Sequence, residues 1–290
     1  MTPVISVVVG GGRHGCDKPE KGYRMTLNAY RTTGATSAGL SQPGFAQYPP
    51  AQRGGRGTSS VPMRSFEIAA LRKDGSLFIG QDRAPALSLF ESAFSAFARG
   101  TVIQTESGGI AVEDLQPGDM VKTSSGEPAK VIWIGSSSFV PADAGRRMPL
   151  LRIMADSFGP ARPSSFLTVG PGARILKTPH HLRGEAGETK LLTPVREFVD
   201  GVNVIEVVPP TPVRLFHICL SRHAAINAGG LEMETFHPGA NAMRATSSSL
   251  RDRFLEMFPQ INSLSDFGPL AHPRAPEIGA EAETIFALQA

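Results

Sequence analysis

Cysteine is nearly absent from this sequence: Cys16 and Cys219 are the only two among 290 residues. Neither a disulfide framework nor a four-cysteine zinc site can be built from them, and the chain suits a reducing compartment. Long apolar runs are missing too. No stretch approaches the roughly 18 consecutive apolar residues that span a bilayer. The N-terminal run Val4 to Val9 ends in Gly10-Gly11-Gly12 with no basic residue before it, so neither a membrane anchor nor a cleaved signal peptide is expected, and the expected location is cytoplasmic. Those three glycines also lack the preceding strand and the following Lys-Ser/Thr of a phosphate-binding loop. Charged residues are sparse at 19% and aromatic ones at 7%, with a single tryptophan.

Against these shortages stand 31 Gly, 24 Pro and 41% hydrophobic residues. Enough apolar material is present for a core, but it is broken up more often than long helices tolerate. Many short elements joined by turns, in a mainly β fold, are therefore expected.

Charge is unevenly placed. Residues 1–64 hold eight Lys and Arg against Asp17 and Glu20, whereas the whole chain is only +3, so the remainder is acidic. Stretches such as Ala35-Thr36-Ser37-Ala38-Gly39 and Tyr48-Pro49-Pro50-Ala51 show no period of 2 or 3.6, and without a buried face nothing offsets the entropy of ordering them. Residues 1–63 are read as a disordered basic leader. Its arginines are dispersed and not interleaved with aromatics, which argues for a solvated tail over nucleic-acid binding.

Patterning begins near Met63. Ser65 to Leu71 and Leu77-Phe78-Ile79 flank an Asp74-Gly75 turn and predict a hairpin. Leu87, Phe90, Phe94 and Phe97 are spaced for one face of a helix ending near Arg99-Gly100. Short strand candidates follow: Thr101 to Thr105, Ile110 to Val112, Met120 to Thr123, the apolar run Lys130 to Gly135, Leu150 to Ile153, Phe166 to Val169, Ala173 to Leu176, Leu191 to Leu192, Val204 to Val208, Val213 to Leu220 and Ala224 to Ala228. No alternation with ten-residue helices occurs, which excludes a parallel α/β sheet. Ser247-Ser248-Ser249 predicts a capped helix carrying Leu250, Phe254 and Phe258 and stopped by Pro259. Residues 241–290, ending in an amphipathic stretch from Ala280 to Leu288, are read as a helical tail packed on the β body.

Three motifs then stand in order: Phe97-Ala98-Arg99-Gly100-Thr101, Val112-Glu113-Asp114-Leu115-Gln116-Pro117-Gly118-Asp119-Met120-Val121, and Val131-Ile132-Trp133-Ile134-Gly135. A closing segment follows, Phe216-His217-Ile218-Cys219-Leu220-Ser221-Arg222-His223, then Ala228-Gly229-Gly230-Leu231-Glu232-Met233-Glu234-Thr235-Phe236. Together they resemble the Hedgehog/intein (Hint) domain in its bacterial subfamily, over about residues 90–238 within a domain read as 64–240. The resemblance implies a compact twisted β fold with pseudo-twofold symmetry, whose two ends meet at one site.

Active members of that family attack the peptide bond preceding their first residue with a Cys or Ser, assisted by a Ser/Thr-Pro-x-His block. Here the resemblance places Ala96 at the nucleophile position and Gly170-Pro171-Gly172-Ala173 at the second block, so nucleophile, hydroxyl and imidazole are all replaced. Ser95 and Thr101 are the nearby hydroxyls that would serve any residual self-processing. A one-residue offset in extended chain turns Ser95 to the opposite face. His217 and His223 match the closing histidines, with a strand-packed, backbone-bonded His217 and a turn-capping His223 as the simpler reading. His217 and Cys219 share a strand face and are candidate zinc ligands with His223 or His237, though no carboxylate stands at ligand spacing. His180-His181 reads as an exposed turn. The expectation is a catalytically degenerate Hint domain that needs no cofactor and acts as a binding or structural module, with a protein as the candidate partner; self-processing and nucleic-acid association through the leader are the alternatives.

Overall fold

The structure is a computed structural model and describes residues 61–187, 189–239 and 247–276, all within the unit Arg56–Ala290. The leader up to residue 60, Cys16, Gly10-Gly11-Gly12 and the stretch from Ala280 to Leu288 lie outside the described residues.

The chain opens with the expected hairpin, β1 (Met63–Leu71) and β2 (Leu77–Pro85), in register from Met63 opposite Pro85 to Leu71 opposite Leu77. Asp74 makes the turn: its carboxylate accepts from the Ser76 main-chain N–H at 2.9 Å and from its hydroxyl at 2.6 Å, while Gly75 supplies a φ of +83°. Helix α1 (Ser88–Ala93) follows. It is shorter than the apolar spacing predicted. Phe97 belongs instead to the two-residue strand β3 (Phe97–Ala98), because the backbone from Phe94 onward leaves helical geometry to pair with two other strands. Phe94 packs in the aromatic cluster and Phe97 among the strands, so the two rings face different cores instead of one helical stripe.

Short strands succeed one another from there: β4 (Val102–Thr105), β5 (Gly108–Ala111), β6 (Met120–Val121), the long β7 (Ala129–Phe139), β8 (Leu150–Ile153), β9 (Leu167–Val169) and β10 (Arg174–Leu176). After the one-turn helix α2 (Arg183–Ala186) come β11 (Leu192–Pro194), β12 (Val204–Val207), β13 (Val213–Leu220), β14 (Ala225–Ala228) and β15 (Leu231–Glu234). They form one path of strand pairing, β11-β10-β15-β14-β4-β6-β7-β13-β3-β9-β8-β12, with β1 added to β7, β2 to β1, and β5 to β4. The fold is thus mainly antiparallel β with few helices, one of them, α3 (Ser248–Glu256), near the C-terminus. Ser247 caps α3 by accepting from Leu250 N–H. Among the described residues no helix is long and apolar enough to cross a membrane.

Two cores result. One lies among the strands and includes Phe97, Ile103, Val131, Val169, Ile218 and Met233. The other draws on distant parts of the chain: Phe66 and Ile68 from β1, Phe90 and Phe94 from α1, Trp133 from β7, Phe236, and Phe254 and Phe258 at the end of α3. Trp133 is its centre, with Phe94 edge-on at 5.1 Å and Phe258 stacked at 4.6 Å between ring centroids. Its indole N–H donates to the Met257 carbonyl at 2.9 Å, closing α3 onto β7. Gly135 is the residue that permits this packing, since a Cβ there would lie 2.5 Å from the Phe94 ring and 2.2 Å from that of Trp133 itself.

A buried ion cluster fixes the first segment beside this core. Glu91 of α1 pairs with Arg64 at 2.6 Å and Arg147 at 3.1 Å, and both arginines also reach Asp143, at 3.0 and 3.4 Å. Such clusters are costly to break one partner at a time, because the remaining charge stays buried.

Phe94→Ala removes a fully buried ring from the aromatic core and is expected to cost about 3–5 kcal/mol in a denaturant titration. Ile79→Ala, at a side chain that is 76% exposed, is expected to change stability by less than about 0.5 kcal/mol.

Candidate functional site

The elements around Ser95–Ala96 converge as a backbone problem first. Leaving α1, the chain passes between β13 on one side and the turn that follows β9 on the other. Ala96 N–H donates to the Phe216 carbonyl at 2.9 Å, and the Ala96 carbonyl accepts from Gly170 N–H at 2.9 Å. Next to it, the Ser95 carbonyl accepts from Gly172 N–H, also at 2.9 Å. Ala96 and Ala173 are both buried in the inter-strand core. The structure therefore brings Ser95, Ala96, the Gly170-Pro171-Gly172-Ala173 segment and the Phe216-His217 strand together.

The approach is close enough to require the two glycines. A Cβ on Gly170 would stand 2.3 Å from the Ser95 carbonyl oxygen, and one on Gly172 2.1 Å from the Ser92 carbonyl oxygen. Any hydroxyl-bearing residue at position 170 would displace the backbone it is meant to act on. Ser95 itself is fully buried, and its hydroxyl donates to the Glu91 carbonyl at 2.5 Å, back along the helix. Thr101 sits in its own turn, its hydroxyl donating to the Ala98 carbonyl at 2.7 Å.

His217 faces the same junction from β13. Its Nδ1 lies 3.2 Å from the Ser92 carbonyl, which can only accept, so Nδ1 carries the proton and Nε2 is a bare lone pair. That Nε2 is buried and makes no hydrogen bond. The ring is edge-on to Phe97 and Phe236, at 5.8 and 5.2 Å. Burial among these rings pushes its pKa down to about 4, outweighing the opposing pull of the Ser92 carbonyl and the Glu234 charge.

His223 does not cap a turn of its own loop. Its Nδ1 accepts from Ala271 N–H at 2.9 Å, which puts the ring proton on Nε2, aimed at Glu234 Oε1 3.0 Å away. Glu234, only 3% exposed, also receives the Arg274 guanidinium at 2.8 Å and lies 3.4 Å from that of Arg174. Burial opposes its ionisation, but the His223 hydrogen bond and the two arginines prevail and hold its pKa below the usual carboxylate value. Thr235 is buried beside it, its hydroxyl donating to the Ala224 carbonyl at 2.9 Å. Glu234 and Thr235 are the acid and hydroxyl of the closing segment. Arg274 had no sequence signal, because forty residues separate it from Glu234 and only the tertiary fold unites them.

Of the four side chains weighed as zinc ligands, His223 is bonded to Glu234 and Ala271, Cys219 contacts the Phe236 carbonyl at 3.8 Å, His237 Nε2 lies 2.9 Å from the Gly268 carbonyl, and His217 is bonded through Nδ1 to Ser92. Among the described residues no three His, Cys, Asp or Glu are grouped to hold a metal ion. His180 and His181 are exposed in a short 3-10 turn.

A profile of the Hint domain matches residues 95–240, half of the chain. The chain belongs to the Hint domain family. Several solved structures are similar at low identity. The gp41-1 intein is 13% identical over 49% of this chain and 98% of its own, with a TM-score of 0.31. The bacterial intein-like domain from Clostridium thermocellum is 12% identical over 49% and 99%, at 0.32. The DnaB intein from Synechocystis sp. PCC 6803 is 11% identical over 49% and 99%, at 0.30. No curated protein gives a significant match.

Two measurements check this geometry. Gly170→Ala is expected to lower stability by about 1–3 kcal/mol in urea titration, against a near-neutral outcome if Ser95 stood further off. For His217, the unfolded ring takes up a proton below about 6.5 and the folded one only below about 4. The unfolded state therefore binds the proton first, and stability falls as pH drops across that window, by about 3 kcal/mol in all. In His217→Asn the slope of stability against pH between those values is expected to shrink accordingly.

Proposed function

We propose that this Hint domain is a non-cleaving structural and binding module, in which the peptide bond ahead of Ala96 serves as core backbone instead of as a substrate. The observation that carries this reading is the Ser95–Ala96 junction. A methyl group stands at the first position of the family domain, and the neighbouring hydroxyl of Ser95 is buried and committed to the Glu91 carbonyl. The Ser95 carbonyl is held only by a main-chain N–H, that of Gly172. Acyl shift at this bond needs a nucleophile on the carbonyl's own face and a proton donor for the departing nitrogen. Ala96 N–H is engaged with Phe216, and Ala173 offers no proton. His217, neutral and bonded to Ser92, has its free lone pair as an acceptor and nothing to donate.

The packing supports the same reading. In a self-processing domain the preceding segment is the acyl group that is transferred and released, whereas here β1, β2 and α1 contribute Phe66, Ala84, Phe90 and Phe94 to a core completed by Trp133 and α3. The packing extends the working unit beyond the family match on both sides, to β1 and to the segment around Arg274.

Intact mass after prolonged incubation with dithiothreitol or hydroxylamine tests the proposal. One species of 30.8 kDa is expected throughout, and the same from Ala96→Cys, since a thiol there still lacks an acid partner. A fragment pair divided at Ser95–Ala96 in the native sequence would overturn it.

A further inference from the structure

Beyond α3 and a 3-10 turn at Leu264–Phe267, the chain crosses an exposed link at Gly268-Pro269-Leu270 and then runs along β11. The main chain pairs on both sides of Arg274: Leu192 N–H donates to the Pro273 carbonyl at 2.9 Å, and Ala275 N–H donates to the Leu192 carbonyl at 3.0 Å. This parallel bridge between Leu192 and Arg274 occupies the side of β11 that β10 leaves open at the end of the sheet. An extended segment completing a sheet edge through its main chain, with one side chain sunk in a pocket, is a recurrent mode of peptide recognition.

The pocket here is chemically selective. Arg274 Nε and Nη2 both donate to Glu234 Oε1, at 2.9 and 2.8 Å, and Nη2 also donates to the His237 carbonyl at 2.6 Å. Gly239 leaves room for the guanidinium, since a Cβ there would stand 2.5 Å from Nη1. The receiving carboxylate is nine-tenths buried and already oriented by His223, whose other nitrogen takes Ala271 N–H from the same segment. A planar fork with several donors fits this arrangement, where the single point charge of a lysine does not. Ala275, 4% exposed, demands a small residue after the arginine.

We propose that the β11 edge and the Glu234 carboxylate form a docking groove for an extended peptide bearing arginine followed by a small residue, and that Ala271 to Pro276 fills this groove in cis. The inference rests on the reading of the domain as a binding module and names the ligand chemistry of that module. Contacts of the cis segment are main-chain pairing plus one arginine, so a separate peptide of the same pattern meets the same partners once the tail has left.

The test uses the full chain with a site-specific protease sequence inserted between Gly268 and Leu270, folded intact and then cut. The probe is a fluorescent synthetic peptide with the sequence of residues 270–276, followed by anisotropy. The uncut chain is expected to bind little, the cut chain to bind saturably, and a probe with alanine in place of its arginine to bind at least about tenfold more weakly. As a second route, uncut Arg274→Ala is expected to bind the native probe. Equal binding of both probes overturns the arginine recognition. No uptake by a cut chain that keeps its circular dichroism, or unfolding of the chain on cutting, shows the segment to be an integral strand and overturns the groove. Intact mass of the same samples reads the module proposal separately, because a break at Ser95–Ala96 would sink that proposal whatever the probe does.

Discussion

The packing of aromatic rings around Trp133 is the constraint on which the remainder of the molecule depends. Phe94 reaches it from before the family domain, Phe258 from after it, and Phe236 from the closing segment. These rings stand at the end of α1, just after β15 and just past α3, so the cluster sets where α1, β7 and α3 stand relative to one another. With α1 anchored in this way, the chain that leaves it at Ser95 has little freedom and must run into the narrow gap lined by Gly170 and Gly172. The glycines are needed because the aromatic core has already decided the path.

How much of this could be read from residues alone differed with the range of the interactions. Turns and strands were legible because their signals are local: Asp74-Gly75 writes its own turn, and β13 appears as a run of alternating and continuous apolar residues from Val213 to Leu220. The family likewise announced itself through ordered motifs whose spacing survives low identity. The assignment of Phe97 to a helix failed because three-residue spacing was the only signal, and pairing with Phe216 and Val169 overrode it. Motif order named Ala96, the Gly170 to Ala173 block and the closing histidines as a candidate site, and the fold brings Ala96, that block and the His217 strand together. That the glycines are sterically required, that His217 is bonded to Ser92, and that Arg274 enters the Glu234 pocket all depend on contacts across tens to more than a hundred residues, which no local pattern encodes.

The closing segment divides labour between its two histidines through the environment of each ring. His217 is buried among aromatic edges, and that burial keeps it neutral against the opposing pull of the Ser92 carbonyl. His223 lies between a main-chain donor and a carboxylate, so its tautomer is fixed by the pair. The same residue type thus serves once as an apolar-packed hydrogen-bond donor and once as a link in a charged chain that ends at Arg274.

Because Phe66, Phe90 and Phe94 cover the Trp133 cluster, the family domain by itself is an incomplete surface. A polypeptide beginning at Ala96 would leave that indole and its neighbouring rings facing water as one contiguous apolar patch, the kind of surface that chaperones and proteases recognise and that drives self-association. Translation from an internal start, or proteolysis at that junction followed by loss of the upstream piece, would therefore yield a short-lived species rather than a free module, so cellular quality control would itself penalise separating the two parts.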